Sequence, residues 1–314
     1  MKSRHGLVLN NNMKHIDLLC VGCACYDLVF SVPAHFGEDE KGQADALISM
    51  GGGPAANAAV TAAKMGISSA FMGYLGKDVY GDAHLSEFCK YGIVTDYVER
   101  GGCPTSLSAI LVKPDGKRTV INHGNKLPMS ENLLTDRIHS LKSRGVKAIL
   151  LDGHEPRINN EILDFSKKQG LPSILDAGSV REGTLYAAKR VTYLISSEKF
   201  AREITGDENP ESAVIKLAEQ APYAVITLGE RGLVWRHGLT TGKLSAFAIN
   251  AVDTTGAGDV FHGAFAAALI KRKPFTDCLV FASAAAALCC TKTGARNGIP
   301  ELSEVSEFLL KHRL

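Results

Sequence analysis

The stretch Val252-Asp253-Thr254-Thr255-Gly256-Ala257-Gly258-Asp259-Val260-Phe261 decides the fold. It joins a β-branched segment to a Gly-Ala-Gly turn, and the apolar residues that follow recur at helical spacing on one predicted stripe. Gly256, Ala257 and Gly258 carry little or no side chain, so an anion can approach their backbone N–H groups at the N-terminus of this helix. The turn therefore predicts an anion site.

Asp259 follows this turn directly, and a carboxylate at that position has two interpretations. It repels a bound anion, unless its task is to take a proton from a hydroxyl that attacks that anion, which predicts a general base. The simpler alternative is an ordinary helix start with a capping aspartate.

The composition is that of an ordinary globular chain of 314 residues, enough for one large α/β domain or two smaller ones. The net charge of +2 predicts neither a nucleic-acid nor a membrane partner, and no apolar run is long enough to span a bilayer. Eight cysteines without zinc-site spacing predict reduced thiols and a cytoplasmic location. We expect residues 1–12 to form a disordered N-terminal extension.

Two early segments predict a ligand-binding mouth. Residues 16–22 are expected to form a buried first strand that ends near Asp27, where open α/β sheets bind ligands. Gly51-Gly52-Gly53 precede a helix that starts at Pro54 and carries Asn57 on its first turns. Glycines allow a ligand close to the backbone. The alternatives are a polar loop residue at Asp27 and a tight turn without a ligand at the glycines.

Strands and helices alternate along most of the chain, which predicts a parallel sheet with helices on both faces. The pattern changes where residues 106–112 and 118–122 flank Asp115-Gly116, because Asp-Gly between two strand-like runs is typical of a β-hairpin. With the irregular segment before Met50, this hairpin predicts a small added sheet. We expect lid insertions at about 30–50 and 103–124 within one domain over 13–314.

A further turn suits a nucleotide. Thr227-Leu228-Gly229-Glu230-Arg231-Gly232 is predicted as the end of a strand and a glycine-containing turn on which an adenine nucleotide can rest. Together, the anion turn, the mouth, the lid and this turn indicate phosphoryl transfer to a small polyhydroxyl acceptor. A lid would exclude water, which otherwise takes the phosphoryl group.

From about Met13 onwards the sequence resembles the ribokinase-like (PfkB) carbohydrate kinases. Two motifs carry the resemblance, residues 51–57 together with 73–82, and residues 253–259. It implies a three-layer αβα sandwich with a mostly parallel Rossmann-like sheet and a small β-sheet lid. It also implies ATP and Mg²⁺ as cofactors and a small sugar as substrate. We expect a homodimer through the lid, because a small sheet with open edges needs covering.

The resemblance implies roles for individual residues. Asp259 would be the catalytic base, and Gly256, Ala257 and Gly258 the anion hole. The residues expected to hold the sugar are Asp27, Lys41, Gly52, Gly53, Asn57, Asn122, His154 and Arg157. Those expected to border the nucleotide are Ser197, Thr227, Gly229 and Gly232. The candidate ligands of a potassium ion are Asp253, Thr255, Gly294 and Gly298, the last at a position where some relatives place a serine.

One departure from the family pattern bears on the substrate. Ser197 and Phe200 stand where the family often has the Asn and Glu of an Asn-x-x-Glu motif, so Mg²⁺ would be held through water, phosphates or Glu198. Ketohexokinase-like members also lack this motif, and residues 291–300 are similar to sulfofructose kinases. The sequence therefore favours a primary hydroxyl of a ketose such as fructose, or of a sulfo- or phospho-ketose. The alternatives are a ribose or nucleoside kinase and a non-catalytic sugar-binding regulator.

Overall fold

The computed structural model describes residues 14–114, 118–124 and 131–312. The extension predicted over 1–12 and the hairpin turn at Asp115-Gly116 lie outside the described residues. The strands are β1 (Leu18–Val21), β2 (Cys25–Ser31), β3 (Ala46–Gly52), β4 (Ser69–Gly76), β5 (Val98–Gly101), β6 (Ser106–Val112), β7 (Arg118–His123), β8 (Ala148–Leu151), β9 (Ser173–Ala177), β10 (Tyr193–Ser197), β11 (Tyr223–Thr227), β12 (Leu233–His237) and β13 (Thr240–Leu244).

The helices are α1 (Pro54–Lys64), α2 (Val79–Lys90), α3 (Glu131–Leu141), α4 (Pro156–Gln169), α5 (Glu182–Ala188), α6 (Glu198–Thr205), α7 (Pro210–Leu217), α8 (Ala257–Ile270), α9 (Phe275–Cys289), α10 (Ala295–Gly298) and α11 (Leu302–Lys311). Among the residues that the structure describes, none of these helices combines the length and apolar character that crossing a membrane requires.

A large sheet forms the middle layer. Its nine strands run in the order β13-β12-β11-β10-β9-β8-β1-β4-β5, and the pairs are parallel except at β12 and β13. One apolar cluster joins this sheet to α1, α8 and α9, and a second joins its other face to α3, α4, α6 and α7. The predicted three-layer αβα sandwich with a mostly parallel sheet is therefore confirmed.

A second, four-stranded sheet has the order β3-β2-β6-β7. Asp27 lies in its strand β2, so the prediction that the first strand continues nearly to Asp27 is wrong. Gly22 follows β1 directly, and an added Cβ there would lie 1.9 Å from the Asp152 carboxylate. The first strand is short, and the next seven-residue strand belongs to the small sheet.

The two faces of the small sheet differ in character. Asp27, Ser108 and Asn122 pair in register across β2, β6 and β7 and therefore share one face. Leu28, Ala109 and Ile121 pair one position further along and share the opposite face. Asp27, Ser108 and Asn122 thus place polar groups on one face, and Leu28, Ala109 and Ile121 place apolar groups on the other.

Helix α8 is buried on every side rather than along one stripe. All residues from 260 to 268 are buried, because α8 lies between α1, α9 and the large sheet. The predicted one-sided stripe is therefore wrong. Close approach to α1 depends on Gly263, where an added Cβ would lie 2.5 Å from the Ala58 carbonyl oxygen and 2.7 Å from Cβ of Thr61.

The Gly263→Ala variant should separate α1 from α8. We expect the free energy of unfolding, measured by urea denaturation, to fall by about 1–3 kcal/mol, because the added methyl overpacks the interface. Gly258→Ala on the same helix is the matched control, since a Cβ there meets nothing within 4 Å. Equal losses of stability in the two variants would contradict this account of the packing.

Candidate active site

A cavity of about 530 Å³ lies between the small sheet and the carboxyl ends of β1, β8 and β9. The small sheet contributes its polar face, and the large sheet contributes the loops that follow its central strands. The polar and charged residues that line the cavity include Asp27, Asn57, Ser108, Arg118, Asn122, Asp152, His154, Glu155, Asp176, Arg181, Thr255 and Asp259. A cavity with many hydrogen-bonding groups therefore lies at the carboxyl ends of the strands, where the sequence predicted a site.

Asp259 lies in the first turn of α8 and faces this cavity. Its Oδ2 accepts a 2.8 Å hydrogen bond from Nδ2 of Asn57 on α1. Desolvation, and then the nearby Asp176 carboxylate, raise the pKa of Asp259 to about 7, against the hydrogen bond from Asn57, which lowers it. A carboxylate with that pKa can take up a proton near neutral pH, as a general base must.

The turn before Asp259 has the geometry of an anion site. Gly256 caps α8 in the left-handed region at φ +78°, where an added Cβ would also meet Cβ of Ala295 at 2.5 Å. Gly258 is exposed and has open space beside it, and its neighbour Asp259 lines the cavity. The first N–H groups of a helix have no partners within the helix and carry its positive dipole end.

Two of the three glycines before α1 leave space for side chains of the protein itself. A Cβ on Gly51 would lie 2.0 Å from Nη1 of Arg296, and a Cβ on Gly52 would lie 2.1 Å from Oδ2 of Asp27. Gly53 has φ +98° and lines the cavity. Sequence reasoning expected these glycines to admit a ligand and missed that Gly51 and Gly52 admit side chains.

Asp152 is a buried residue of the cavity lining that accepts hydrogen bonds from three backbone segments. Its carboxylate accepts hydrogen bonds from the backbone N–H groups of Cys23 at 2.7 Å, Ala55 at 3.1 Å and His154 at 2.9 Å. Nδ1 of His154 lies 3.1 Å from the same carboxylate. Burial alone would lower the pKa of His154, but Asp152 outweighs it and raises the pKa to about 9. His154 is therefore a cation on the cavity wall at neutral pH.

Asp176 is a second carboxylate that sequence reasoning missed, although it ends a parallel strand beside β8. Its Oδ2 lies 3.4 Å from Nδ1 of the buried His262. The ring nitrogens of His262 also lie 2.7 Å from the Gly258 carbonyl oxygen and 3.3 Å from that of Ile195. His262 thus packs behind the anion turn and fixes its backbone, whereas Asp176 faces the cavity.

The other expected sugar-binding residues divide into two groups. Asn122 and His154 line the cavity together with Asp27 and Asn57. Lys41 and Arg157 are exposed and lie outside the cavity lining.

The residues expected at the nucleotide lie along the same edge of the large sheet, outside this cavity. The Ser197 hydroxyl caps α6 by accepting from the Phe200 N–H at 3.0 Å, and it donates to the Gly178 carbonyl at 2.9 Å. The Thr227 hydroxyl at the end of β11 donates to the Ser196 carbonyl at 3.1 Å. In the next turn, Gly229 has φ 61° and Gly232 has φ 88°, both in the region that favours glycine.

The residues expected at a potassium ion form a closed hydrogen-bonded loop. The buried Asp253 carboxylate accepts from the backbone N–H of Thr255 at 2.8 Å, from its hydroxyl at 2.6 Å, and from the Gly294 N–H at 2.8 Å. Gly298 packs against Cys289, and an added Cβ there would lie 2.8 Å from the Cys289 sulfur. A serine therefore has no room at Gly298.

Comparisons with known proteins agree with this geometry. Residues 15–302 match the profile of the pfkB family carbohydrate kinases. The ribokinase of Lactococcus lactis is 29% identical, with 87% of this chain and 89% of the relative covered. The deoxyribokinase of Salmonella typhi is 27% identical, with 94% and 99% covered.

A solved structure gives the same result. The Arabidopsis thaliana ribokinase complexed with ribose and ATP matches with a TM-score of 0.80 and 28% identity, covering 94% of this chain and 99% of that one. These relatives are named for ribose and deoxyribose rather than for a ketose or a sulfo-sugar, so the expected sulfofructose kinase or ketohexokinase branch has no support from them. The chain belongs to the pfkB family of carbohydrate kinases, which are phosphotransferases with an alcohol group as acceptor.

Proposed function

We propose that the protein transfers the γ-phosphoryl group of ATP to a primary hydroxyl of a pentose, with ribose as the first candidate. The observation that carries the proposal is the Asp259 carboxylate, which faces the cavity one residue after an anion-binding turn. The likeness to ribokinases supports ribose over the ketose that the sequence favoured.

The chemistry follows from this placement. A sugar hydroxyl in the cavity donates a hydrogen bond to Asp259, and its oxygen attacks the γ-phosphorus. As the new O–P bond forms, the hydroxyl proton passes to Asp259, and the bond to the β–γ bridging oxygen breaks with its electron pair leaving on ADP. The N–H groups of Gly256 and Gly258 would face the charge that develops on the transferred group, whereas the Ala257 N–H donates to the Thr254 carbonyl at 3.3 Å.

We assign the sugar to groups from the small sheet and from the start of α1. Asp27 and Asn122 reach the cavity from the small sheet, and Gly53 and Asn57 from the start of α1. Burial raises the pKa of Asp27, against hydrogen bonds from Cys25 and Ser108. Carboxylate and amide groups are suited to neutral sugar hydroxyls because they accept and donate hydrogen bonds directionally.

The nucleotide is assigned to the edge that carries Ser197, Thr227, Gly229 and Gly232. Among the described residues no cluster of three His, Cys, Asp or Glu side chains can hold a metal. Mg²⁺ typically keeps several waters and binds substrate phosphates with one or two carboxylates. It would therefore arrive with ATP, and Glu198 would assist only by leaving its ion pair with Arg231.

A potassium ion stays a prediction of the resemblance. Asp253 with the carbonyl groups of Thr255 and Gly294 offers oxygen ligands, the type that hard cations prefer, whereas Gly298 lacks the side-chain oxygen that a serine would supply. Both carboxylate oxygens of Asp253 already accept protein hydrogen bonds. A bound ion would share these oxygens and would steady the loop that leads into the anion turn.

We also infer a homodimer through the outer face of the small sheet. That face carries Leu47, which is 57% exposed, and Ile121, which is 60% exposed, beside Leu28 and Phe30. A contiguous apolar face on a soluble protein is typical of an interaction surface. A partner copy would cover this face and would stabilise the lid above the cavity.

Replacing Ile121 by Asp should give a monomer, because two buried carboxylates would face each other across the interface. Sedimentation at micromolar concentration should show a dimer for the wild type. Ile215→Asp is the matched control, because Ile215 is also exposed but lies on α7, far from the small sheet. A monomeric wild type, or a dimeric Ile121→Asp variant, would rule out this interface.

An acceptor screen tests the function. ADP release should be measured with ribose, 2-deoxyribose, fructose and a nucleoside as acceptors. We expect kcat/KM for ribose to exceed that for fructose by about tenfold or more, because a site built to bind one set of hydroxyls discriminates against another. A preference for fructose would restore the ketose prediction, and one for the nucleoside would favour the nucleoside kinase. Sugar binding without ADP release for any acceptor would indicate the regulator.

A further inference from the structure

One charged side chain lies buried next to the proposed base without lining the cavity. Arg296 belongs to the short helix α10 and is only 2% exposed. Its guanidinium carbon lies 5.3 Å from the centre of the Phe88 ring of α2. A buried charge is costly unless it is paired and hydrogen-bonded, so its position here depends on its partners.

Two guanidinium nitrogens of Arg296 donate to oxygen acceptors, and the third lies beside a ring nitrogen of His84 that is also 3.1 Å from the Gly52 carbonyl oxygen. Nη1 donates to Oε2 of Glu87 at 2.6 Å, Nη2 lies 3.1 Å from Nε2 of His84, and Nε donates to Oδ1 of Asn57 at 3.3 Å. Burial, and then the charge of Arg296, lower the pKa of His84 to about 3, so its imidazole is neutral. The ion pair with Glu87 therefore anchors the guanidinium, and the Nε group is directed at Asn57.

The contact with Asn57 sets the orientation of an amide. With Oδ1 turned toward Arg296, the Nδ2 group of Asn57 is turned toward Asp259 and donates to it at 2.8 Å. The opposite orientation would place the amide oxygen against the carboxylate, a pair without a donor. It would also place the NH₂ group against the guanidinium, a pair without an acceptor. Arg296 thus determines which end of the amide faces Asp259.

Glu87 connects the same cluster to the start of α1. Its Oε1 accepts a 3.0 Å hydrogen bond from the Gly51 N–H. The missing side chain of Gly51 leaves the space that the guanidinium fills. The first glycine of the predicted ligand-binding turn is therefore explained by a side chain that lies far along the sequence.

We propose that Arg296 is a positioning residue for phosphoryl transfer, which holds the Asn57 amide so that it donates to Asp259. The inference rests on the proposed function, in which Asp259 is the base. Arg296 lies in α10, in the C-terminal part of the chain, and its ion pair with Glu87 of α2 holds the guanidinium in place. Lysine cannot replace it, because an ammonium lacks the planar fork that reaches Glu87 and Asn57 together.

Kinetics of Arg296→Lys test the proposal. We expect kcat with the best acceptor to fall about 10- to 100-fold, with KM for ATP little changed, because misplacement of a catalytic group affects the transition state most. Arg144→Lys is the matched control. Arg144 is also buried, pairs with Asp96 at 2.7 Å and lies over the Tyr97 ring, but it packs on the opposite face of the large sheet. Its kcat should stay at the wild-type value.

A double-mutant cycle separates positioning from a general structural role. In an Asn57→Ala background, Arg296→Lys should change kcat by no more than about twofold, because its effect passes through the amide. A full additional loss there would overturn the proposal. If Arg296→Lys gives no folded protein, Asn57→Asp carries the test, because it keeps an acceptor for Arg296 and removes the donor to Asp259. Wild-type kcat in that variant would equally overturn the proposal.

A titration of the free protein is independent of activity. ¹³C NMR of the Asp259 carboxyl should show a higher pKa in Arg296→Lys than in the wild type, because the hydrogen bond from Asn57 favours the ionised form. The other groups that act on Asp259, namely Asp27, Asp152, Asp176 and the neighbouring His262, are unchanged in this variant. An unshifted titration would refute the positioning role, whereas a shift in a protein without kinase activity would refute only the function.

Discussion

The close packing of α1 against α8 is the constraint on which the site depends. Gly263 brings the two helices into backbone contact at Ala58, and the Asn57–Asp259 hydrogen bond joins their first turns across 202 residues of sequence. Both helices begin at glycine-rich turns that open on the same cavity. The packing of two helices in the core therefore fixes the distance between the sugar-binding mouth and the anion turn.

Charge crowding gives the site its acid–base character. One cavity is lined by four carboxylates, those of Asp27, Asp152, Asp176 and Asp259. The surroundings of these carboxylates differ. Asp152 is compensated by His154 and by three backbone donors, which lower its pKa despite full burial. Asp259 accepts a hydrogen bond from the Asn57 amide, but desolvation and the nearby Asp176 carboxylate outweigh it and raise the pKa of Asp259 to about 7. Asp259 is thus able to exchange a proton near neutral pH.

The sequence alone predicted the layers, the small sheet and the residues around Asp259, because these depend on local periodicity and turn chemistry. Predictions from the sequence failed for features that depend on contacts between residues far apart in the chain. The role of Gly51 depends on Arg296, and Gly22 leaves the space that the Asp152 carboxylate fills. Helix α8 is buried on all sides because α1, α9 and the large sheet surround it, and the periodicity of its own sequence does not reveal these neighbours. The sequence favoured a ketose, whereas the ribokinase relatives favour the ribose alternative. A missing Asn-x-x-Glu motif concerns how Mg²⁺ is held and does not indicate which hydroxyls line the mouth.

The turnover of Asp259→Asn, compared with Asp277→Asn, tests the central claim most directly. Asp277 occupies the equivalent first-turn position of α9 but is exposed and remote from the cavity. If Asp259 is the base, its replacement should lower kcat about 10²- to 10⁴-fold while ATP affinity is retained. Asp277→Asn should turn over like the wild type. Near-normal turnover of Asp259→Asn would contradict the account.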